Sequence, residues 1–304
     1  MKKDLLTIRD LSRDDIEDIL KLAYLLKKRP YKYAKALSGK VIGLIFQKPS
    51  ARTRVSFDVG MRQVCGSTIY IRPEDIKLGE RESIKDIART FSRYLDGLVL
   101  RTYQHQVVAE FAQYADIPVI NGLSDILHPC QGLSDIFTIK EKKGTFRGIK
   151  LAYVGDGNNV LNSLLYASSK IGLDISVAAP QVYRPDKAVM EESMRFAQES
   201  GSKIALFEDP KDAVSGADIV YTDVWASMGK EGEHEAREKA FRPYQVNREL
   251  LASAKAGALV MHCLPAHRGD EITDEVIDGE NSIVFDQAEN RLHVQKAILI
   301  ALLK

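Results

Sequence analysis

The sequence predicts an α/β protein of two open domains, each a parallel sheet with helices on both faces. From Val41 to the C-terminus, short apolar runs of strand length alternate with amphipathic runs of helix length, and Gly, Pro, Asn and Asp bound the strands. With 304 residues the chain is long enough for two domains, and its 45% hydrophobic and 28% charged content is ordinary for a globular protein.

The elements of the first predicted domain alternate regularly. A helix is predicted over Arg13 to Lys28, where apolar side chains recur on one face. Strands are predicted over Val41 to Phe46, Ser67 to Ile71, Gly97 to Leu100 and Pro118 to Ile120. The helices between them are predicted over about Thr53 to Val64, Ser83 to Tyr94 and Gln106 to Ala115.

After Gly148 the alternation begins again and predicts a second domain. Its strands are predicted over Ile149 to Val154, Asp174 to Ala178, Lys203 to Phe207, Asp218 to Thr222, Ala258 to His262 and Ser282 to Phe285. A last helix is predicted over Gln287 to Leu303, and the polar segment Glu141 to Thr145 is the predicted boundary. Ligands of such sheets bind at the carboxyl ends of the strands, so the active site is expected in the cleft between the domains.

Composition argues against several classes of function. Lys and Arg number 43 and Asp and Glu 42, so the net charge of +1 gives no basic excess for nucleic-acid or membrane binding. No apolar run approaches the roughly 20 residues of a membrane span. Three cysteines are too few for a disulfide framework, and the N-terminal residues hold no apolar core of signal-peptide length. A cytoplasmic location is therefore expected.

The first chemical cluster, Lys48 to Arg54, follows a predicted strand and opens a helix. A helix N-terminus offers unpaired N–H groups and about half a positive charge. Ser50 and Thr53 add hydroxyls, and Arg52 adds a fork that fits a phosphate. The alternative is an ordinary helix cap with solvated arginines. Two arginines in the first turn oppose the helix dipole, which favours an anion site.

Further polar residues stand where other predicted strands end. Arg101 closes the third strand, and His128 with Gln131 can present two polar groups to one carbonyl oxygen. Taken singly, each is more typical of a structural residue. Arg291, at the start of the last helix, can add positive charge to the anion site.

The segment Gly155 to Asn159 invites a dinucleotide-binding interpretation, but the third glycine is replaced by Val160. The next predicted strand also ends without an acidic residue. Asn159 is therefore interpreted as a residue that faces substrate.

Two later loops complete the candidate site. Asp223 can hold an ammonium group, and the turn with Ser227 and Met228 can offer a hydroxyl and N–H groups to a carboxylate, whereas Trp225 is expected to pack in the core. Cys263 stands at a strand end beside Leu264-Pro265, a placement more typical of function than of packing. Cys263 together with His262 and His267 offers zinc-ligand side chains, but their spacing matches no usual zinc pattern, and no metal site is predicted.

Together these residues resemble the aspartate/ornithine carbamoyltransferase family over essentially the whole chain. Ser50-Ala51-Arg52-Thr53-Arg54 resembles its Ser-x-Arg-Thr-Arg phosphate loop, and His128-Pro129-Cys130-Gln131 its carbamoyl-binding His-Pro-x-Gln. Asp223 with Ser227-Met228-Gly229, and His262-Cys263-Leu264-Pro265, are similar to motifs of the ornithine branch.

The resemblance implies transfer of the carbamoyl group of carbamoyl phosphate to the δ-amine of L-ornithine, which gives L-citrulline in arginine or urea-cycle metabolism. It implies that 1–143, completed by the C-terminal helix 287–304, binds carbamoyl phosphate and that 144–286 binds ornithine. The implied carbamoyl phosphate contacts are Ser50, Ala51, Arg52, Thr53, Lys77, Arg101, His128, Gln131, Cys263, Leu264 and Arg291. The implied ornithine contacts are Asn159, Asp223, Ser227 and Met228.

The resemblance also implies a homotrimer or a multiple of trimers, in which a neighbour's loop carrying Lys77 completes each site. Many relatives have Gln or His at this position. No metal or organic cofactor is implied.

An alkylammonium with a pKa near 10 is only about one part in a thousand neutral at pH 7. Asp223 and Cys263 are therefore expected to position ornithine and help it lose a proton. Arg101 and His128 are expected to act with them in catalysis, by stabilising charge on the carbonyl oxygen together with Thr53. Alternatives are another carbamoyl acceptor, an NAD-linked dehydrogenase, and a sensor that binds phosphorylated metabolites without catalysis.

Overall fold

A computed structural model describes residues 2–76, 82–226 and 234–304, apart from the side chain of His234. The chain divides into two compact units. Unit 1 comprises Met1–Phe137 and Asn290–Lys304, and unit 2 comprises Thr138–Glu289. Within the described residues, no helix has both the length and the apolar character that crossing a membrane requires.

Unit 1 contains a parallel sheet. Its strands are β1 (Val41–Phe46), β2 (Ser67–Ile71), β3 (Gly97–Arg101) and β4 (Val119–Leu123). They lie in the order β2-β1-β3-β4, and each neighbouring pair is parallel. The helices up to β4 are α1 (Arg13–Lys28), α2 (Ala51–Gln63), α3 (Pro73–Ile76), α4 (Ile84–Phe91) and α5 (His105–Tyr114).

Unit 2 contains a second parallel sheet. Its strands are β5 (Lys150–Val154), β6 (Asp174–Ala178), β7 (Ile204–Phe207), β8 (Ile219–Thr222) and β9 (Leu259–His262). They lie in the order β7-β6-β5-β8-β9, again all parallel. The remaining helices are α6 (Pro129–Lys143), α7 (Asn159–Ile171), α8 (Lys187–Ser200), α9 (Pro210–Val214), α10 (His234–Phe241), α11 (Arg248–Leu251), α12 (Asp274–Ile277) and α13 (Val284–Leu303).

The predicted α/β class with two parallel sheets is confirmed, but the predicted strand Ser282 to Phe285 is wrong. Ser282 forms only an isolated bridge with Val260, and α13 begins at Val284. A run of three apolar residues is too short for its periodicity to separate strand from helix. After one bond from the Ile283 N–H to Val260, the backbone turns and the Gln287 N–H bonds back to Ile283.

Each sheet has a point where the strand order reverses. In unit 1 this point lies between β1 and β3, and in unit 2 between β5 and β8. The loops that leave neighbouring strands there diverge to opposite faces, which leaves a crevice beyond the carboxyl ends. These two edges are where the fold favours ligand binding.

Candidate active site

A cationic cluster lies at the strand-order reversal of unit 1; it comprises Arg52, Thr53, Arg101, His128 and Arg291. Helix α2 begins here because the Ser50 side chain accepts the Thr53 N–H at 3.2 Å. The buried Thr53 hydroxyl accepts a hydrogen bond from Arg291 Nη2 at 2.8 Å. Helix α13 thus brings a distant arginine to the first turn of α2.

Arg101 is a buried charge within the cationic cluster. Its side chain is only 6% exposed, and its Nε has no hydrogen-bond partner among the described residues. Burial, followed by the positive charges of Arg291 and Arg52, lowers the pKa of Arg101 to about 10. The guanidinium remains charged at neutral pH, and no carboxylate of the described residues is among the groups that shift its pKa.

His128 supplies a neutral group beside these charges. Burial, and then the positive charges of Arg291 and Arg101, hold the pKa of His128 well below its usual value of 6.5. The imidazole is therefore neutral at pH 7 and can give a carbonyl oxygen one N–H donor.

Gln131 lies three residues further on and is also buried. Its Nε2 donates to Asp135 Oδ1 at 2.8 Å, which fixes the amide. Its Oε1 has no partner among the described residues and can accept from an amine or amide of a ligand.

Cys130 belongs to the same helix turn as His128 but has a structural role. Its thiol is buried and donates to the Asn121 carbonyl at 3.5 Å. Burial raises the pKa of the Cys130 thiol to about 12, so it is not a nucleophile at neutral pH.

A second cluster of residues, centred on the Asp223 carboxylate, lies at the strand-order reversal of unit 2; it comprises Asn158, Asp223 and Cys263. The Asn158 Nδ2 donates to Asp223 Oδ2 at 2.7 Å, and the Cys263 Sγ donates to Asp223 Oδ1 at 3.0 Å. Asp223 is 5% exposed and Cys263 9% exposed. A buried carboxylate with both oxygens oriented is suited to hold a ligand ammonium.

Asn158 was missed by the sequence analysis, which named only its neighbour Asn159. Asn159 is the first residue of α7 and is half-buried, whereas Asn158 is the N-cap of that helix. An asparagine at the N-cap directly after a strand was the available signal. The sequence did not show that its second amide atom reaches Asp223, which lies 65 residues away.

A buried His262–Glu271 pair shapes the loop that follows β9. His262 Nε2 lies 3.0 Å from Glu271 Oε1, and both side chains are fully buried. His262 Nδ1 accepts the N–H of Leu264, which has a φ of 58°. The pair thus fixes the backbone on either side of Cys263.

The same contacts bear on metal binding. Ligand atoms of Asp223, His262 and Cys263 lie within 4.8 Å of one another. However, Nδ1 of His262 accepts from Leu264, which makes Nε2 the protonated nitrogen that donates to Glu271. Hydrogen bonds therefore account for this grouping, and neither ring nitrogen offers a lone pair to an ion.

Replacing Glu271 by leucine is expected to lower the free energy of unfolding by about 2–4 kcal/mol, because two donors, one of them fully buried, lose their acceptor. These donors are the His262 ring and the backbone N–H of His267, which lies 2.7 Å from Glu271 Oε1. Glu271→Gln is the matched control, since its amide oxygen can still accept both bonds. Urea unfolding that gave equal losses for the two variants would count against this role of Glu271.

A buried ion pair anchors the segment that precedes residue 227. Arg237 Nη1 lies 3.0 Å from Asp156 Oδ2 and donates to the Trp225 carbonyl at 2.7 Å. The guanidinium also lies 4.5 Å from the ring centroid of Tyr183. Trp225 itself is buried and stacks on Phe241, so the predicted core packing is confirmed. The sequence analysis did not find this pair.

The remaining predicted residues fall as follows. Ser50 is half-buried at the start of α2, and Ala51 and Arg52 are exposed there. Leu264 is half-buried in unit 2 beside Cys263. Lys77, Ser227 and Met228 lie outside the described residues.

Comparison with known proteins gives matches over nearly the whole chain. Residues 3–141 match the family model described as aspartate/ornithine carbamoyltransferase, carbamoyl-P binding domain. Residues 147–302 match the model described as aspartate/ornithine carbamoyltransferase, Asp/Orn binding domain.

Individual relatives agree with these models. The ornithine carbamoyltransferase of Thermococcus kodakarensis is 52% identical over 299 residues, which are 98% of this chain and 95% of the relative. The solved ornithine carbamoyltransferase from Pyrococcus furiosus has a TM-score of 0.95 at 52% identity, covering 97% of this chain and 95% of that one. The anabolic ornithine carbamoyltransferase from Campylobacter jejuni has a TM-score of 0.94 at 37% identity, covering 99% of both chains.

Proposed function

The chain belongs to the aspartate/ornithine carbamoyltransferase family, and we propose that it transfers the carbamoyl group of carbamoyl phosphate to the δ-amine of L-ornithine. The products are L-citrulline and phosphate. The observation that carries the proposal is Arg101, a buried arginine close to the positive charges of Arg291 and Arg52, whose Nε has no hydrogen-bond partner among the described residues.

Unit 1 binds carbamoyl phosphate in this proposal. Arg52, Arg291 and the N–H groups that open α2 hold the phosphate dianion, with the Ser50 and Thr53 hydroxyls as further donors. This assignment is supported by the buried Arg101, whose pKa is lowered by burial and then by the positive charges of Arg291 and Arg52. The open Gln131 Oε1 suits the carbamoyl NH2 group, which needs an acceptor.

Charge develops on the carbonyl oxygen when the amine attacks. Arg101 and neutral His128 donate to that oxygen and stabilise the tetrahedral intermediate, with Thr53 as a further donor. Electrostatic stabilisation is strong here because the donors are already buried and oriented before the substrate arrives. The phosphate then leaves, and the positive charges of Arg52 and Arg291 stabilise it.

Unit 2 binds ornithine. Asp223 holds an ammonium group of the substrate, and the predicted contacts Asn159, Ser227 and Met228 take the rest of the amino acid. Cys263 and the carbonyl of Leu264 contact the reacting amine as it loses its proton. The proposal is supported by the burial of Asp223 and by the donors fixed on both of its oxygens.

The working assembly is proposed to be a cytoplasmic homotrimer or a multiple of trimers, in which Lys77 of a neighbour contributes to each site. The synthetic direction, as in arginine biosynthesis, is supported by the relative named anabolic. Analytical ultracentrifugation of the purified chain tests the assembly, for which a monomer would contradict the proposal.

The test of the activity is transfer of the labelled carbamoyl group of carbamoyl phosphate to each of a panel of acceptors. L-ornithine is expected to be carbamoylated, whereas aspartate, putrescine and N-acetylornithine are not. Putrescine lacks the carboxylate, and acylation removes the α-ammonium. Equal turnover of putrescine and ornithine, or no product with ornithine, would refute the proposed function.

A further inference from the structure

We propose that Asn158 is a positioning residue, which orients the Asp223 carboxylate for ornithine without contacting the substrate. The inference rests on the proposed function and deepens it. Asn158 follows β5 and Asp223 follows β8, the two strands between which the order of the sheet of unit 2 reverses.

The direction of the Asn158 amide is fixed by its other end. Its Oδ1 accepts the N–H groups of Val160 at 2.9 Å and Leu161 at 3.2 Å, as the N-cap of α7. A rotated amide would bring its NH2 group against these two donors. The Nδ2 therefore points to Asp223, and the 2.7 Å bond to Asp223 Oδ2 is tied to the start of the helix.

The bond from Asn158 has a counterpart on the other carboxylate oxygen. The Cys263 thiol donates to Oδ1, so one donor lies on each oxygen and the carboxylate plane is held from both sides. Each oxygen keeps a second lone pair that can accept from an ammonium group. Loss of one donor frees the carboxylate to rotate and weakens its hold on ornithine.

Replacing Asn158 by aspartate separates the two functions of this side chain. Aspartate is as good an N-cap as asparagine, so the bonds to Val160 and Leu161 are retained. The donor to Asp223 is lost, and a second carboxylate faces the first across a contact that is 2.7 Å long in the native protein. Two carboxylates this close hold one proton between them to a higher pH.

The expected result is a rise in KM for ornithine of about 10- to 100-fold, because a hydrogen bond to a charged group is lost. The acid limb of kcat/KM for ornithine moves to higher pH, since the shared proton must leave before an ammonium can bind. Two titratable side chains of the native protein, Cys263 and His262, have ligand atoms within 4.8 Å of the Asp223 carboxylate. The affinity for carbamoyl phosphate remains close to that of the wild type.

Asn158→Ser provides a second variant. Serine also caps the helix but adds no charge and is too short to reach Asp223 as the amide does. It is expected to raise KM for ornithine without moving the acid limb. If Asn158→Asp does not fold, the ornithine KM of Asn158→Ser decides the question alone.

The matched control is Asn247→Asp, the same change at another N-cap of unit 2. Asn247 Oδ1 accepts the N–H of Leu250 at 3.0 Å at the start of α11. Its kinetics are expected to equal those of the wild type.

An active wild type with an unchanged ornithine KM in both Asn158 variants would overturn the positioning role alone. A wild type that makes no citrulline would instead overturn the proposed function.

Discussion

Arg101→Met is expected to lower kcat/KM for carbamoyl phosphate by about 100- to 1,000-fold and, at the same time, to raise thermal stability. The activity falls because a donor to the carbonyl oxygen is lost, a loss worth roughly 2.7–4 kcal/mol of transition-state stabilisation. The stability rises because the substitution removes a buried charge that lies near two like charges. The Nε of this arginine also has no partner in the described part of the chain.

The stabilisation is expected to be about 1–3 kcal/mol, since methionine fills a similar volume and removes the desolvation cost. Steady-state rates and thermal unfolding of the ligand-free protein measure the two effects. Arg93→Met, at an exposed arginine of unit 1, is the control and is expected to leave both quantities unchanged. A variant of Arg101 that loses stability and keeps its activity would show that the arginine is structural.

Asp223→Asn is expected to lower kcat/KM for ornithine by about 30- to 5,000-fold, because one partner of a buried charge pair is removed at a cost of roughly 2–5 kcal/mol. Asparagine has nearly the same shape, so the fold around β8 is retained. It carries no charge. Its amide oxygen can accept only one of the bonds that Asn158 and Cys263 donate, because the amide nitrogen that replaces the other oxygen is not an acceptor.

The effect of Asp223→Asn is expected in kcat/KM for ornithine and not in kcat/KM for carbamoyl phosphate. Rates are measured with varied ornithine at saturating carbamoyl phosphate, and then with varied carbamoyl phosphate at saturating ornithine. The two series give kcat/KM for each substrate separately. A loss that appeared equally in both values would point to a general disturbance of the protein and count against an ammonium contact at Asp223.

Local patterns were sufficient to predict the sheets and the residues at their strand ends. Strand-length apolar runs predicted β1 and β3, and the parallel arrangement then implied that Arg52 and Arg101 lie at one edge. Arg291 was proposed to add charge to the anion site from its position at the start of the last helix, and it bonds to Thr53 across 238 residues.

Other residues could not be predicted because their roles depend on partners that are distant in sequence. Glu271 and Arg237 look like solvated charges in the sequence, yet both are buried and bonded. Asn158 has an ordinary N-cap signal at one amide atom, and only the fold brings Asp223 to the other. The strand error at Ser282 arose in the same way, since the two backbone bonds at Val260 do not extend into a ladder.

Binding of a stable carbamoyl phosphate analogue without ornithine tests the central claim most directly. Phosphonoacetamide has a CH2 group in place of the bridging oxygen and can be titrated into wild type, Arg101→Met and Asp223→Asn by calorimetry. We expect wild type and Asp223→Asn to bind it with equal affinity and Arg101→Met to bind it at least tenfold more weakly, a difference of about 1.4 kcal/mol or more. Unchanged affinity in Arg101→Met, or an equal loss in Asp223→Asn, would contradict the assignment of the anion to unit 1.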